Sequence, residues 1–240
     1  YKRIERSSII PKKTELVILS EKFDPLVAEW ISFVKNPNFN LIEKCLKFSQ
    51  LIEYPDLHVE EYIKKINWIG TSLKESLNGV KNPTYLISML NEHLFENLGY
   101  SGDDDDYYNP KNNFLNEVID RKLGIPITIS ILYVEIAKLI GLDLKIVGFP
   151  SHIVVKYNEE MILDPYYDGR LLDIDDLQEI LNANFKGELE FKPEFLDEVT
   201  SEQLLIRMVR NLKNSYIQSF VYDKALRCVN MALAIEPEAP

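Results

Sequence analysis

Between Arg121 and Pro165 the chain reads RKLGIPITISILYVEIAKLIGLDLKIVGFPSHIVVKYNEEMILDP. This stretch decides the fold. Gly124 and Ile125 lead into an apolar run over residues 126–140, which Gly141 closes. Proline suits the first helical position, because its missing N–H would have no partner there anyway. The run therefore predicts one apolar helix starting at Pro126. Val- and Ile-rich segments follow at residues 144–149, 152–157 and 161–163, and these read as strands. Asn158, Glu159 and Glu160 supply a turn, so the last two strands pair antiparallel. A helix start, then His152 opening a strand, then Asp164 ending the next strand is the order of a cysteine-nucleophile triad. In such a triad the helix dipole and an imidazole lower the pKa of the thiol. A carboxylate orients the imidazole from its far side.

Several pieces of this region agree in order and spacing with a known family. They are Asn113-Phe114-Leu115, Asp120 to Ile127, Tyr133 to Ala137, Val147 to His152, Leu163-Asp164-Pro165 and Asp168-Gly169. On these residues the chain resembles the transglutaminase-like superfamily, and more closely the SirB-type (invasion-regulator B) proteins. Those proteins join a transglutaminase-like core to C-terminal tetratricopeptide repeats and are regulators without a settled reaction. The resemblance is strong over residues 109–170 and looser in the flanking helices. It implies that His152 is the catalytic imidazole and Asp164 its orienting carboxylate. It also exposes a departure. The superfamily's cysteine position, just after the glycine at the helix start, is held here by Pro126. Proline has no nucleophilic side chain, and no cysteine lies between Cys45 and Cys228.

Read without the resemblance, His152 is either a general base or a rim histidine held by its neighbours. Asp164 is either its partner or a turn aspartate before Pro165. Thr128 and Ser130 are the hydroxyls nearest the vacant position. Either is a substitute nucleophile or a hydroxyl bonded to the preceding helical turn. His58, His93 and His152 lie far apart without metal-ligand spacing, so no metal is expected. No Gly-rich phosphate loop occurs, so no nucleotide cofactor is expected either.

Outward from this core the chain is helical. Asp24-Pro25 starts a helix with Asp24 as N-cap. Apolar stripes predict further helices over residues 41–54 and 59–77. Pro83 opens another, with Leu86, Leu90, Leu94 and Leu98 at steps of four, and Gly99 ends it. A short helix follows over residues 114–122. Asp103 to Asp106 are contiguous and lack the alternating oxygens of a calcium loop, so they read as a solvated, mobile loop. Asp173 caps a helix reaching Leu181, Thr200 or Ser201 caps one to about Phe220, and Asp223 caps the last. Tyr216, Ala225, Val229, Ala232 and Pro237 have the spacing of one tetratricopeptide repeat, which must pack on the preceding domain or continue beyond Pro240.

The expected fold class is thus α+β. A helical N-terminal region spans 1–108, a papain- or transglutaminase-like core of one central helix on a small antiparallel sheet spans 109–198, and a tetratricopeptide-like helical pair spans 199–240. The 240 residues carry a net charge of −11, which argues against nucleic acid or an anionic membrane as partner. Two cysteines make neither a disulfide framework nor a zinc cluster, and suggest a reducing, cytoplasmic setting. Residues 1–13 contain no signal-like apolar segment. Eleven carboxylates against three cations fall between Asp164 and Glu198, so a basic or neutral partner suits that side. The functional expectation is a non-catalytic transglutaminase-like protein that binds a protein or peptide in a cleft formed by Thr128, Ser130, His152 and Asp164 near Pro126. The rival is a hydrolase or acyl-transferase using Thr128 or Ser130 with His152 and Asp164.

Overall fold

The computed structural model describes residues 25–237, and the expected Asp24 cap lies outside them. Helices dominate the first half of the described residues. They are α1 (Pro25–Val34), α2 (Leu41–Ile52), α3 (Val59–Ser76), α4 (Pro83–Asn91) and α5 (Leu115–Arg121). Local chemistry fixes their starts. Asn40 accepts from the Glu43 amide at 2.9 Å while Glu43 accepts from the Asn40 amide at 2.7 Å, closing a capping box on α2. Asn82 caps α4 at the Tyr85 amide, 3.0 Å away.

The helix opened by Pro83 does not run unbroken to Leu98. From Glu92 to Asn97 it widens into a π turn, with the Leu98 amide donating to the His93 carbonyl at 3.0 Å. Such inserted residues shift the phase of the side chains that follow. Ser101–Gly102 (β1) then pairs in parallel with Leu123–Gly124 (β2).

Helix α6 (Pro126–Leu139) is the central element, with ten of its residues buried. It packs under a four-stranded antiparallel sheet of β3 (Lys145–Val147), β4 (Val154–Asn158), β5 (Met161–Asp164) and β6 (Arg170–Leu172), in that spatial order. The expected hairpin forms, with Asn158 opposite Met161, and β6 adds a strand that the sequence reading lacked. Alternation along the strands splits the side chains between two cores. Ile146, Val155 and Leu163 face the large helical core that includes α6. Val147, Val154, Ile162 and Leu172 face a smaller core with Leu177 and Leu181 of α7 (Ile174–Phe185).

The described chain closes with an antiparallel hairpin of α8 (Ser201–Gln218) and α9 (Tyr222–Ile235), in which Arg210, midway along α8, pairs with Glu236 just past α9 at 2.7 Å. This pair lies directly on the first helices. The Trp30 indole donates to the Met231 carbonyl at 3.0 Å. Glu53 accepts from the Tyr216 hydroxyl, and pairs with Lys224 at 2.6 Å. One hydrophobic cluster accordingly runs from Val27 to Ile235.

The acidic loop corrects an expectation. Asp103 is buried rather than solvated. Its carboxylate accepts from Asn112 at 2.9 Å and from the Arg121 guanidinium at 3.3 Å, which offsets the cost of burying the charge. Its neighbours 104–106 are exposed. Among the described helices none is long and apolar enough to cross a membrane.

Candidate functional site

His152 does not open a strand. Pro150 fixes its own backbone angle and Ser151 takes a left-handed conformation at φ +61°. The chain therefore turns, the His152 amide donates to the Phe149 carbonyl at 3.0 Å, and β4 starts two residues later. Arg207 of α8 clamps this turn. Its guanidinium donates to the His152 carbonyl at 2.6 Å and to the Phe149 carbonyl at 3.2 Å. Burial pulls the Arg207 pKa down, from a value so high that the group stays charged.

The structure brings His152 and Asp164 together. The imidazole Nε2 lies 2.8 Å from Asp164 Oδ2. Asp164 is fully buried, while the His152 side chain keeps 12% exposure. With Nε2 engaged by the carboxylate, Nδ1 has no hydrogen-bond partner among the described residues. The second carboxylate oxygen accepts from the Tyr166 amide at 3.1 Å, capping the short turn over Pro165–Tyr167.

A relay of hydrogen bonds holds that turn from behind. The Gly169 amide donates to the Asp164 carbonyl at 2.8 Å. Asn91, at the end of α4, donates to the Gly169 carbonyl at 3.0 Å and accepts from the buried Tyr133 hydroxyl of α6 at 2.7 Å. Gly169 is obligatory here: its φ is +70°, and a Cβ would sit 2.2 Å from Asn91 Oδ1. Gly169→Ala is expected to cost about 2–3 kcal/mol, from left-handed strain plus two disrupted hydrogen bonds. Urea unfolding measures it, and a loss below about 0.5 kcal/mol would mean that the relay bears no strain.

The two candidate hydroxyls are placed differently. Thr128 is fully buried. Its Oγ1 accepts from the Ile125 amide at 3.1 Å and donates to the Asn112 carbonyl at 2.9 Å, so it caps α6. Ser130 is also fully buried, and its hydroxyl has no partner among the described residues. Neither hydroxyl hydrogen-bonds to His152. Pro126 is buried at the first position of α6. Cys45 and Cys228 are buried as well, with Cys45 against Met208 at 3.7 Å. Burial pushes both thiols up to about 12, the opposite of an activated cysteine.

Tyrosines frame the pair instead. Tyr166 stands edge-on to the His152 ring at 6.4 Å, Tyr167 lies 6.5 Å away, and Tyr107 meets Tyr166 at 6.4 Å. The Tyr166 hydroxyl donates to Asp104 at 2.7 Å, and burial and that carboxylate push its pKa up. A Cβ on Gly102 would lie 2.5 Å from the Tyr166 ring, so β1 needs glycine at this approach.

None of five well-formed cavities on the described surface is lined by His152, Asp164, Pro126, Thr128 or Ser130. The roomiest, about 510 Å³, lies elsewhere, between Trp68, Tyr100 and Ile119. Among the described residues no three His, Cys, Asp or Glu side chains converge as metal ligands. Sequence reasoning missed Arg207, Asn91 and the tyrosine rim. Only Asp168-Gly169 and the tyrosine-rich acidic loop gave a signal.

Comparisons with known proteins find relatives of this chain. The family described as "Transglutaminase-like superfamily" matches residues 60–210. A UPF0162 protein of Xylella fastidiosa is 31% identical over 194 residues, covering 78% of this chain and 69% of that relative. A UPF0162 protein of Vibrio cholerae is 28% identical over 152 residues, covering 61% and 56%. F-box only protein 21 of mouse is 27% identical over 138 residues, covering 53% of this chain and 21% of that protein. No solved structure matches.

Proposed function

The chain belongs to the transglutaminase-like superfamily, and from that membership we propose that it is a non-catalytic, SirB-type member that works as a protein- or peptide-binding regulatory module. One observation carries the reading. The His152–Asp164 pair is assembled at 2.8 Å, yet Pro126 holds the helix start and both cysteines are sealed elsewhere. An imidazole and carboxylate without a nucleophile lack the group that forms the covalent bond. On this reading the pair is vestigial as chemistry and retained for shape and hydrogen bonding. Nδ1 of His152 and the tyrosine rim then serve recognition, on the surface beside the pair.

Two further facts support a binding role. The matched stretch makes up 21% of the mouse F-box protein, so a module of this kind can be one part of a longer protein. The α8–α9 hairpin over Ser201–Ile235, with the small Ala225 buried on α9, is in keeping with a tetratricopeptide-like pair, a repeat that offers a second surface.

The rival reading, a hydroxyl-dependent hydrolase or acyl-transferase, draws on Ser130, whose buried hydroxyl is unpartnered. A fluorophosphonate probe separates the two. The expected result is no labelling of Thr128 or Ser130 at any probe concentration. Labelling of either hydroxyl that disappears in His152→Ala would overturn the non-catalytic reading.

A further inference from the structure

Beside the His152–Asp164 pair the surface changes character. Strand β6 is the outer strand of its sheet, and among the described residues its backbone hydrogen-bonds only to β5 within the sheet. Its middle residue, Leu171, is 61% exposed, and Ile174 just beyond it is 62% exposed. Tyr167, half exposed, joins this strip to the rim of the pair, meeting Tyr166 edge-on at 5.1 Å. Tyr107 and Tyr108 extend it toward the acidic loop, with Tyr107 touching Tyr166 and Tyr108 touching Tyr107 at 5.2 Å. An exposed apolar strip along an unpaired strand is a known liability, and proteins usually blunt such edges with lysine.

Here the flanking charge has the opposite sign. Asp104, Asp105 and Asp106 are exposed, with Asp104 accepting from the Tyr166 hydroxyl, and Asp168, Asp173 and Asp175, close to β6 in sequence, are exposed as well. Arg170 is the cation on the strip itself, and it lies over Tyr167 at 5.8 Å and 3.8 Å from Asp176. Cations above tyrosine faces and near carboxylates are stabilised on such a surface. Arg170 therefore marks how a second cation would be held.

We propose that this strip is a docking surface for a basic, extended segment of a partner protein, which adds as a strand to the outer edge of β6. Main-chain hydrogen bonds to β6 provide the attachment. Alternate apolar side chains of the segment lie on Leu171, Ile174 and Tyr167. Its lysines or arginines meet the exposed aspartates and the tyrosine faces. This inference rests on the non-catalytic binding reading and gives it a partner chemistry.

The test uses three fluorescein-labelled short peptides, alternating valine with lysine, with glutamate or with serine, titrated against the full chain by fluorescence anisotropy. The lysine peptide is expected to bind at least about tenfold more tightly than the others and to weaken as salt rises. Leu171→Ser, and separately Asp105→Asn with Asp168→Asn, each weaken it about three- to tenfold while circular dichroism is unchanged. Methylating alternate amides of the lysine peptide abolishes binding if a strand is added. Equal binding of all three peptides, or binding indifferent to Leu171→Ser and to the aspartate changes, overturns the proposal. If the serine or glutamate peptide binds through Leu171, the basic partner is refuted and the binding reading stands. That reading falls only if the fluorophosphonate probe labels a hydroxyl.

Discussion

Trp30→Ala is expected to cost about 3–5 kcal/mol, the range for emptying a large aromatic site in a packed core. The indole is fully buried. It packs edge-on to Phe33 at 5.4 Å and against Phe48 at 5.7 Å, and Phe48 in turn stacks on Phe114 at 5.8 Å. Its N–H also satisfies the Met231 carbonyl on α9. Alanine leaves a cavity and removes the hydrogen bond that ties α1 to α9, two penalties that fall together. A typical domain has only about 5–15 kcal/mol of stability in all, so about a fifth or more is lost. The effect reaches both ends of the described chain, because α1 and α9 share this contact. Urea denaturation gives the magnitude, and amide exchange gives the location: α9 protection falls with that of α1. A loss below about 1 kcal/mol, or an α9 whose exchange is unchanged, would show that the terminal helices do not depend on each other.

Much of this architecture was legible beforehand, for physical reasons that can be named. Helices α2 and α3 announced themselves through apolar stripes, α4 through Pro83 at its start, and α6 through Pro126 at its first position. The hairpin of β4 and β5 followed from the Asn158 turn. The π turn after Asn91 was hidden because the leucine stripe continues through it, and hydrogen-bond phase leaves no mark on side-chain type. Strand β6 is three residues long and shows no alternation, so it reads as part of a loop. His152 was placed on a strand because Ile153, Val154 and Val155 look continuous with it. The Pro150-Ser151 turn outweighs that apolar run.

The pairing of His152 with Asp164 came from the order of elements in the sequence. The groups that hold the pair did not, because they work through the backbone. Arg207 grips two carbonyls, and Asn91 grips the Gly169 carbonyl. A main-chain acceptor has no residue type to recognise, so no spacing rule finds its donor. Asp103 was misjudged for a related reason. Four adjacent acids look alike in sequence, and distant donors, Asn112 and Arg121, select one of them for burial. The acids after Asp164 suit a basic or neutral partner on charge alone, and Asp168 and Asp173 adjoin β6, the outer strand of the sheet, in sequence.

The central claim is that Pro126 stands where a nucleophile would be activated, in a site whose other parts remain assembled. Pro126→Cys puts a thiol back at the start of α6. Two opposed forces then act on it. Burial alone raises a thiol, as it does for Cys45, pushed up to about 12. A helix N-terminus and a nearby imidazolium lower it, from an ordinary value of about 8.5 to as low as about 3.5–7.5. The sign of the shift therefore reports which environment surrounds the position. The decisive measurement is the iodoacetamide alkylation rate of the Pro126→Cys protein against pH, with and without His152→Ala. The account predicts a thiol pKa below about 8.5 that climbs when His152 is removed. A value at or above about 8.5, unchanged by His152→Ala, would contradict it.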